Sequence, residues 1–235
     1  MDKGRLHLIP NLLSDVEPES SFPPQVKKLA LELKYYVVEN VKFSRRLLKK
    51  LDRSVDIDSM DIQELPRKNE VVDLSNLLAP ALIGHDIGLM TDAGCPAVAD
   101  PGSQVVRLAH EKGIRVIPHT GPSSILLTVM ASGMNGQAFT FNGYLPKDRK
   151  DRMVALRKFE DLATKKGITQ IFMDTPYRND NVIEDILNVC RADTRLCIAS
   201  DITGDHEDIR SMSITYWKKK KKSYQKIPVM FALGS

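Results

Sequence analysis

The chain has 235 residues, 42% of them hydrophobic, and a formal net charge of +4. That length holds one large domain or two small ones with ordinary cores, and no apolar run approaches the roughly 20 residues that span a bilayer. The start at Met1–Arg5 is not expected to act as an export signal, and the mild basicity permits an anionic partner without requiring one.

Strand and helix patterns alternate from the beginning. Arg5–Ile9 reads as a buried first strand, stopped by Pro10. Pro24–Leu33 places Val26, Leu29, Ala30 and Leu33 at helical spacing. Tyr35–Val38 reads as a strand and Lys42–Leu51 as a basic helix carrying Arg45, Arg46, Lys49 and Lys50. Residues 52–69 are polar and carry little signal. Val71–Ile83 returns to helix and leads into the strand Ile87–Met90. Ser103–Lys112 reads as a helix with Val106 and Ala109 inward and Gly113 as its stop. A strand at Ile114–Ile117 precedes a helix over Pro122–Ser132, with Pro122 at the first helical position, where a missing N–H costs nothing.

After Gly133 the composition changes. Asn-Gly pairs bracket the strand Ala138–Phe141, and Leu145–Asp151 is a charged connector. Asp151–Lys165 is an amphipathic helix with Met153, Leu156, Phe159 and Leu162 on one side, closed by Gly167. Ile168–Met173 is a strand, Arg178–Cys190 a helix and Arg195–Ala199 a strand. Ile209–Trp217 and Lys226–Leu233 read as a hairpin around the lysines of Lys218–Lys222. The pattern predicts an α/β protein of two α/β domains, residues 1–118 with a mostly parallel sheet and residues 119–235 with a mixed one.

Two turns stand out, Asp92–Gly102 and Thr120–Ser124, each leaving the end of a short apolar strand. Loops at the carboxyl ends of parallel strands are where ligands bind, and Gly94, Gly102 and Gly121 let main chain approach a ligand closely. The three cysteines, Cys95, Cys190 and Cys197, are odd in number and lack Cys-x-x-Cys spacing. That predicts a reducing cytoplasm, no disulfide framework and no structural zinc.

Five segments in order carry a family likeness. They are Glu39-Asn40 with Phe43–Leu48; Thr91–Gly102 (T-D-A-G-C-P-A-V-A-D-P-G); Gly121–Ser124 leading to Ala131–Gly133; Phe141–Pro146; and Phe172–Arg178. A weaker sixth is Ala199–Thr203 with His206 and Glu207. Through them the chain resembles the tetrapyrrole methylase superfamily of S-adenosylmethionine-dependent methyltransferases, and within it the small-subunit ribosomal RNA 2′-O-ribose methyltransferase I group. The resemblance implies two α/β domains with the cofactor in a cleft between them, and a cytoplasmic homodimer acting on ribosomal RNA. It departs from the group at Ile9–Asp15, where the glycine of a Thr-Pro-Ile-Gly-Asn-Leu turn is lost while Pro10, Asn11 and Leu12 remain. It also has Glu39-Asn40 for a Glu-Asp pair, Thr175-Pro176-Tyr177 for Ser-Pro-His, and a basic segment at 147–152 that is short and mixed in charge.

On that basis Pro10, Asp92, Gly94, Cys95, Pro96, Ala97, Gly121, Pro122, Ser123, Ser124, Met173 and Asp174 are the expected cofactor-binding residues. Several also have plainer readings: Asp92 and Asp100 as turn-making or capping residues, Cys95 as packing, Met173 as core. Exposed N–H groups at a helix start near Ser123 and Ser124 suit the carboxylate of the cofactor's methionine. Arg45, Arg46 and Arg178 are candidates for RNA contact, the alternatives being a solvated face and a turn cap. Tyr144, Tyr177 and Trp217 are the candidate stacking aromatics. His206 and Glu207 are candidate bases for a 2′-hydroxyl that loses its proton as the methyl arrives. The displacement needs no metal, and none is expected. Gly121→Val is expected to put a side chain where the cofactor lies. Methylation of a small molecule such as a porphyrinoid precursor, and a cofactor-binding module without catalysis, remain the other functions open to this sequence.

Overall fold

The computed structural model describes residues 2–66, 74–220 and 222–235. The chain divides into two compact units, Met1–Ser123 and Ser124–Ser235.

The first unit contains β1 (Arg5–Ile9), α1 (Pro24–Glu32), β2 (Tyr35–Val38), α2 (Val41–Leu51), β3 (Asp61–Glu64), α3 (Ala79–Leu82), β4 (Ile87–Met90), α4 (Ser103–Glu111) and β5 (Arg115–Pro118). Its sheet runs β3-β2-β4-β1-β5, and every neighbouring pair is parallel. Parallel sheets are covered on both faces, and the side-chain alternation of β2 shows how. Tyr36 and Val38 join Ile9, Val26, Leu47, Leu48 and Met90 under α1 and α2. Val37, on the opposite face, joins Leu6, Leu89, Val105 and Ala109 under α3 and α4. α2 starts where the Asn40 side chain accepts the Lys42 N–H.

The second unit contains α5 (Ser124–Ser132), β6 (Phe139–Tyr144), α6 (Arg149–Lys166), β7 (Thr169–Met173), α7 (Asn179–Val189), β8 (Arg195–Ser200), β9 (Asp208–Ser213), α8 (Ile214–Trp217) and β10 (Val229–Gly234). Its sheet is mixed, in the order β6-β7-β10-β8-β9. Only β6 and β7 are parallel; β10 lies antiparallel to both β7 and β8, and β8 antiparallel to β9. α6 and α7 contribute Leu156, Ala163, Val182 and Ile186 to a core with Phe172, Ile198, Trp217 and Phe231.

Most elements lie where the sequence places them, with informative exceptions. The expected C-terminal hairpin does not form: β9 pairs with β8, and β10 inserts between β7 and β8. All six residues of β10 are buried, as an unbroken apolar strand in the middle of a sheet should be. Ile209–Trp217 is not one strand, because Ser213 accepts the Tyr216 N–H and starts a helical turn. Lys218–Lys222 therefore leaves a helix rather than turning a hairpin, and Lys221 lies outside the described residues. Of the helix expected over Val71–Ile83, residues 71–73 lie outside the described set, and the remainder is a 3₁₀ turn at Leu74–Leu78 followed by the short α3. β3 falls in the uninformative polar segment. It is an edge strand whose Asp61, Gln63 and Glu64 give no apolar run. The fifth strand begins one residue later than expected. In α4 it is Val105, not Val106, that is fully buried beside Ala109. α5 begins at Ser124, so Pro122 precedes the helix by two residues and does not occupy its first turn.

Candidate functional site

β1 and β4 are neighbours in the sheet, yet the chain leaves them toward opposite faces, to α1 after β1 and to α4 after β4. A crevice at the carboxyl ends of two such strands is the ordinary ligand position in an open parallel sheet. Here three turns are tied together at that point. The Asn11 N–H donates to the Gly94 carbonyl at 2.8 Å and the Gly94 N–H to the Asn11 carbonyl at 3.1 Å. The Asn11 side-chain amide donates to the carbonyls of Thr91 (2.9 Å) and Asp92 (3.0 Å), and its oxygen accepts the Leu12 N–H at 2.7 Å. The Cys95 thiol reaches the Pro122 carbonyl at 3.4 Å. A Cβ on Gly121 would overlap Cβ and Cγ of Pro10, so only glycine lets the turn after β5 pack on the turn after β1.

Pro10, Asp92, Gly94, Cys95, Gly121 and Pro122 thus converge, and Pro96 and Ala97 continue the same loop. Gly94, Ala97, Ala99 and Gly102 all have positive φ. The two alanines hold that conformation at a cost of about 1–2 kcal/mol each. Gly121→Val does not isolate a ligand contact, since its first obstacle is Pro10 rather than a cofactor. Ser123 closes the first unit and Ser124 opens α5 in the second, its carbonyl accepting the Thr128 hydroxyl at 2.7 Å.

The electrostatics of this crevice are acidic. Glu39, just after β2, accepts the Thr91 hydroxyl at 2.7 Å and the Asp92 N–H at 3.1 Å. Burial, with the carboxylates of Glu39, Asp100 and Glu64 adding to it, pushes Asp92 up to about 6. Burial and Glu39 push Asp100 up to about 6, against a hydrogen bond with Thr91. Asp92 Oδ1 is buried with no hydrogen-bond partner in the protein. An orphaned buried acceptor beside other carboxylates suits a ligand that brings hydroxyl or amino donors and positive charge. Burial likewise raises the Cys95 thiol, which fits packing rather than nucleophilic chemistry.

The other substrate candidates of the first unit lie on α2. Arg46 and Lys50 both pair with Asp15, Lys50 at 2.5 Å, and Arg45 pairs with Asp58. A cavity of about 350 Å³ lies between α2 and the turn after β1, lined by Asn11–Asp15, Phe43, Arg46, Leu47, Lys50, Asp92 and Ala93.

In the second unit the register places Met173 opposite Met230 and Ser200 opposite Val229, so the ends of β7 and β8 share one edge of the sheet. Met173 is half-buried and Asp174 buried. Asp174 Oδ1 accepts the Thr175 N–H at 2.6 Å and the Arg178 guanidinium at 2.5 and 2.8 Å. Arg178 is thereby committed to the turn, while Asp174 Oδ2 is buried without a hydrogen-bond partner. His206 and Glu207 lie exposed in the loop between β8 and β9. There the Glu207 carboxylate accepts the Thr203 N–H at 2.7 Å, and the His206 N–H donates to Asp201 at 3.0 Å. Trp217 is excluded as a stacking platform: it is buried, and its indole N–H donates to the Leu196 carbonyl at 2.8 Å. Tyr144 and Tyr177 are exposed.

Three contributors were not among the expected site residues. Asn11 sits in the turn that had lost its glycine, and its side chain does the joining there. Glu39 and Phe43 lie within a recognised motif but are assigned their positions only by the packing of β2 and α2.

No family model matches the chain. Curated relatives do. The chain is 31% identical over 149 residues to "Ribosomal RNA small subunit methyltransferase I" of Vibrio cholerae, covering 62% of this chain and 49% of that protein. It is 28% identical over 207 residues to the protein of the same name from Halalkalibacterium halodurans, covering 88% and 67%. It is 32% identical over 161 residues to the one from Escherichia coli O157:H7, covering 67% and 55%. The chain spans about half the length of the Vibrio relative. Motifs and alignments therefore agree: this chain is similar in sequence to the ribosomal RNA small subunit methyltransferase I group.

Proposed function

We propose that the protein is an S-adenosylmethionine-dependent methyltransferase whose acceptor is a ribose 2′-hydroxyl of ribosomal RNA. The observation that carries this reading is the crevice at the ends of β1 and β4, where a buried, unpartnered Asp92 oxygen faces an acidic surround. The cofactor fits that chemistry, because it brings hydroxyl and amino donors and a sulfonium charge; when bound it supplies an electrophilic methyl group. Gly94 keeps main chain close to it, Gly121 packs the turn after β5 on Pro10 beside it, Cys95, Pro96 and Ala97 form a small-residue wall, and Asp92 accepts one of its donors. Pro10, Pro122 and Ser123 complete the proposed cofactor contacts in the first unit, and the resemblance adds Ser124, Met173 and Asp174 of the second.

The protein's task in such a displacement is orientation of the acceptor oxygen, an effect worth several kcal/mol of barrier. His206 and Glu207, exposed in the loop between β8 and β9, are the proposed bases. Arg45 and Arg46 supply cations for RNA phosphates, and Arg178 supports the turn that carries Asp174. The names of the relatives support the RNA acceptor, and the resemblance supports a homodimer working in the cytoplasm. Among the described residues no helix is long and apolar enough to cross a membrane.

The test is transfer of labelled methyl from the cofactor to small ribosomal subunits that lack the modification. Label in ribose is the expected result. Cofactor binding without label in RNA would leave a binding module or another acceptor, and absence of cofactor binding would overturn the reading altogether.

A further inference from the structure

α2 has a charge pattern that the proposed activity does not by itself explain. Three of its cations, Arg45, Arg46 and Lys50, are held by carboxylates from elsewhere in the first unit, and those carboxylates are themselves exposed. Asp15, with 65% of its side chain exposed, bridges Arg46 and Lys50. Asp58, 88% exposed, holds Arg45. Such surface pairs contribute little to stability, so a competing anion such as a phosphodiester can replace them readily. Beside the Asp15 bridge, Phe43 is exposed on the same cavity, which Asp92 and Ala93 also line. A second cleft of about 380 Å³, lined by Lys42, Arg45, Arg46 and Lys49, continues along the helix.

We propose that this cavity holds one nucleotide of single-stranded RNA. Its phosphate takes the place of the Asp15 carboxylate between Arg46 and Lys50, and its base lies against Phe43. Asp15 is then an internal competitor that occupies the phosphate position in the free protein. Chemistry selects the ligand: two cations set side by side match a phosphodiester, and an exposed aromatic ring lining the same cavity of about 350 Å³ matches a base. The shared wall at Asp92 and Ala93 sets the bound nucleotide next to the residues proposed to hold the methyl donor. The inference rests on the RNA reading above and adds to it Phe43, Lys50 and Asp15.

The experiment measures anisotropy of a labelled ten-nucleotide single-stranded RNA over a range of salt concentrations, with no cofactor present. Arg46→Gln and Lys50→Gln are each expected to weaken binding several-fold and to flatten the salt dependence by about one phosphate contact. Phe43→Ala is expected to weaken it about tenfold, and to lose that difference on an oligomer made abasic throughout. Asp15→Asn is expected to tighten binding at least threefold. Asp161→Asn, which makes the same charge change on α6 in the second unit, is expected to leave affinity within twofold. Melting curves establish that each variant is folded. The proposal is overturned if the wild-type chain does not bind the oligomer, if Asp15→Asn fails to tighten it, or if Asp161→Asn tightens it equally. It is also overturned if the Arg46 and Lys50 variants bind like the wild type. Because no cofactor is present, failure of methyl transfer leaves these readings intact, and failure here leaves cofactor binding to be measured separately.

Discussion

Asn11 is the residue whose removal tests the architecture of the crevice most sharply. It is only 5% exposed, and its side chain makes three hydrogen bonds, to the carbonyls of Thr91 and Asp92 and from the N–H of Leu12. Asn11→Ala removes all three while sparing the main-chain pair with Gly94. A buried group left unpaired costs about 1–3 kcal/mol. Asp92 lines an open cavity from which water can replace part of the loss, so the expected destabilisation is about 2–4 kcal/mol rather than the full sum. Asn11→Asp has nearly the same shape but points a carboxylate at two carbonyls in an already acidic surround. It should cost more than alanine at pH 7.5 and recover part of that loss at pH 4. The assay is urea unfolding followed by circular dichroism, together with hydrogen exchange at the Gly94 amide, which should speed up in both variants. A loss below about 0.5 kcal/mol for Asn11→Ala, with Gly94 exchange unchanged, would refute the claim that this side chain joins the turns.

Other consequences can be measured on the same chain. Gly121→Ala should destabilise the first unit, because the new methyl overlaps Pro10; a melting temperature equal to wild type would show that the two turns do not pack as described. Asp92 and Asp100 have raised values near 6, so the protonated forms are favoured by folding. The stability they contribute is full below the ordinary carboxylate value of 3.8 and is lost as pH rises through about 6. Asp92→Asn should therefore be more stable than wild type at pH 7.5 and show no gain at pH 3.5, and a pH-independent difference would contradict this. In the second unit Asp185 is buried between Arg149 and Arg152, with contacts of 2.8 and 2.7 Å. Asp185→Ala leaves the buried Arg152 guanidinium without its partner and should cost about 3–5 kcal/mol, read from the urea midpoint; a loss under 1 kcal/mol would sink that assignment.

The last of these also shows what one stretch of sequence could not reveal. Residues 147–152 read as a weakened basic segment, yet Arg152 spends its charge on Asp185 and on the carbonyls of Pro146 and Lys147. Nothing local reveals a partner 33 residues away. The strands of the first unit were legible because parallel strands buried on both faces are short apolar runs between turn residues. The edge strand Asp61–Glu64 was not, since an edge needs no apolar pattern. β10 was legible as a strand but not as a central one, because pairing order follows tertiary packing. The turns after β4 and β5 were visible from Gly94, Gly121 and the prolines, but the packing of Gly121 on Pro10 was not. The contribution of Asn11 was not, because its bonds cross 80 residues of sequence.

The turns after β1, β4 and β5 are the proposed surface for one S-adenosylmethionine. Isothermal titration of the full chain with that cofactor, repeated on Asp92→Ala, tests it directly. Saturable binding by the wild type, one molecule per chain, is expected, with a loss of at least tenfold in affinity for the variant. No heat of binding, or equal affinity for the two proteins, would contradict it.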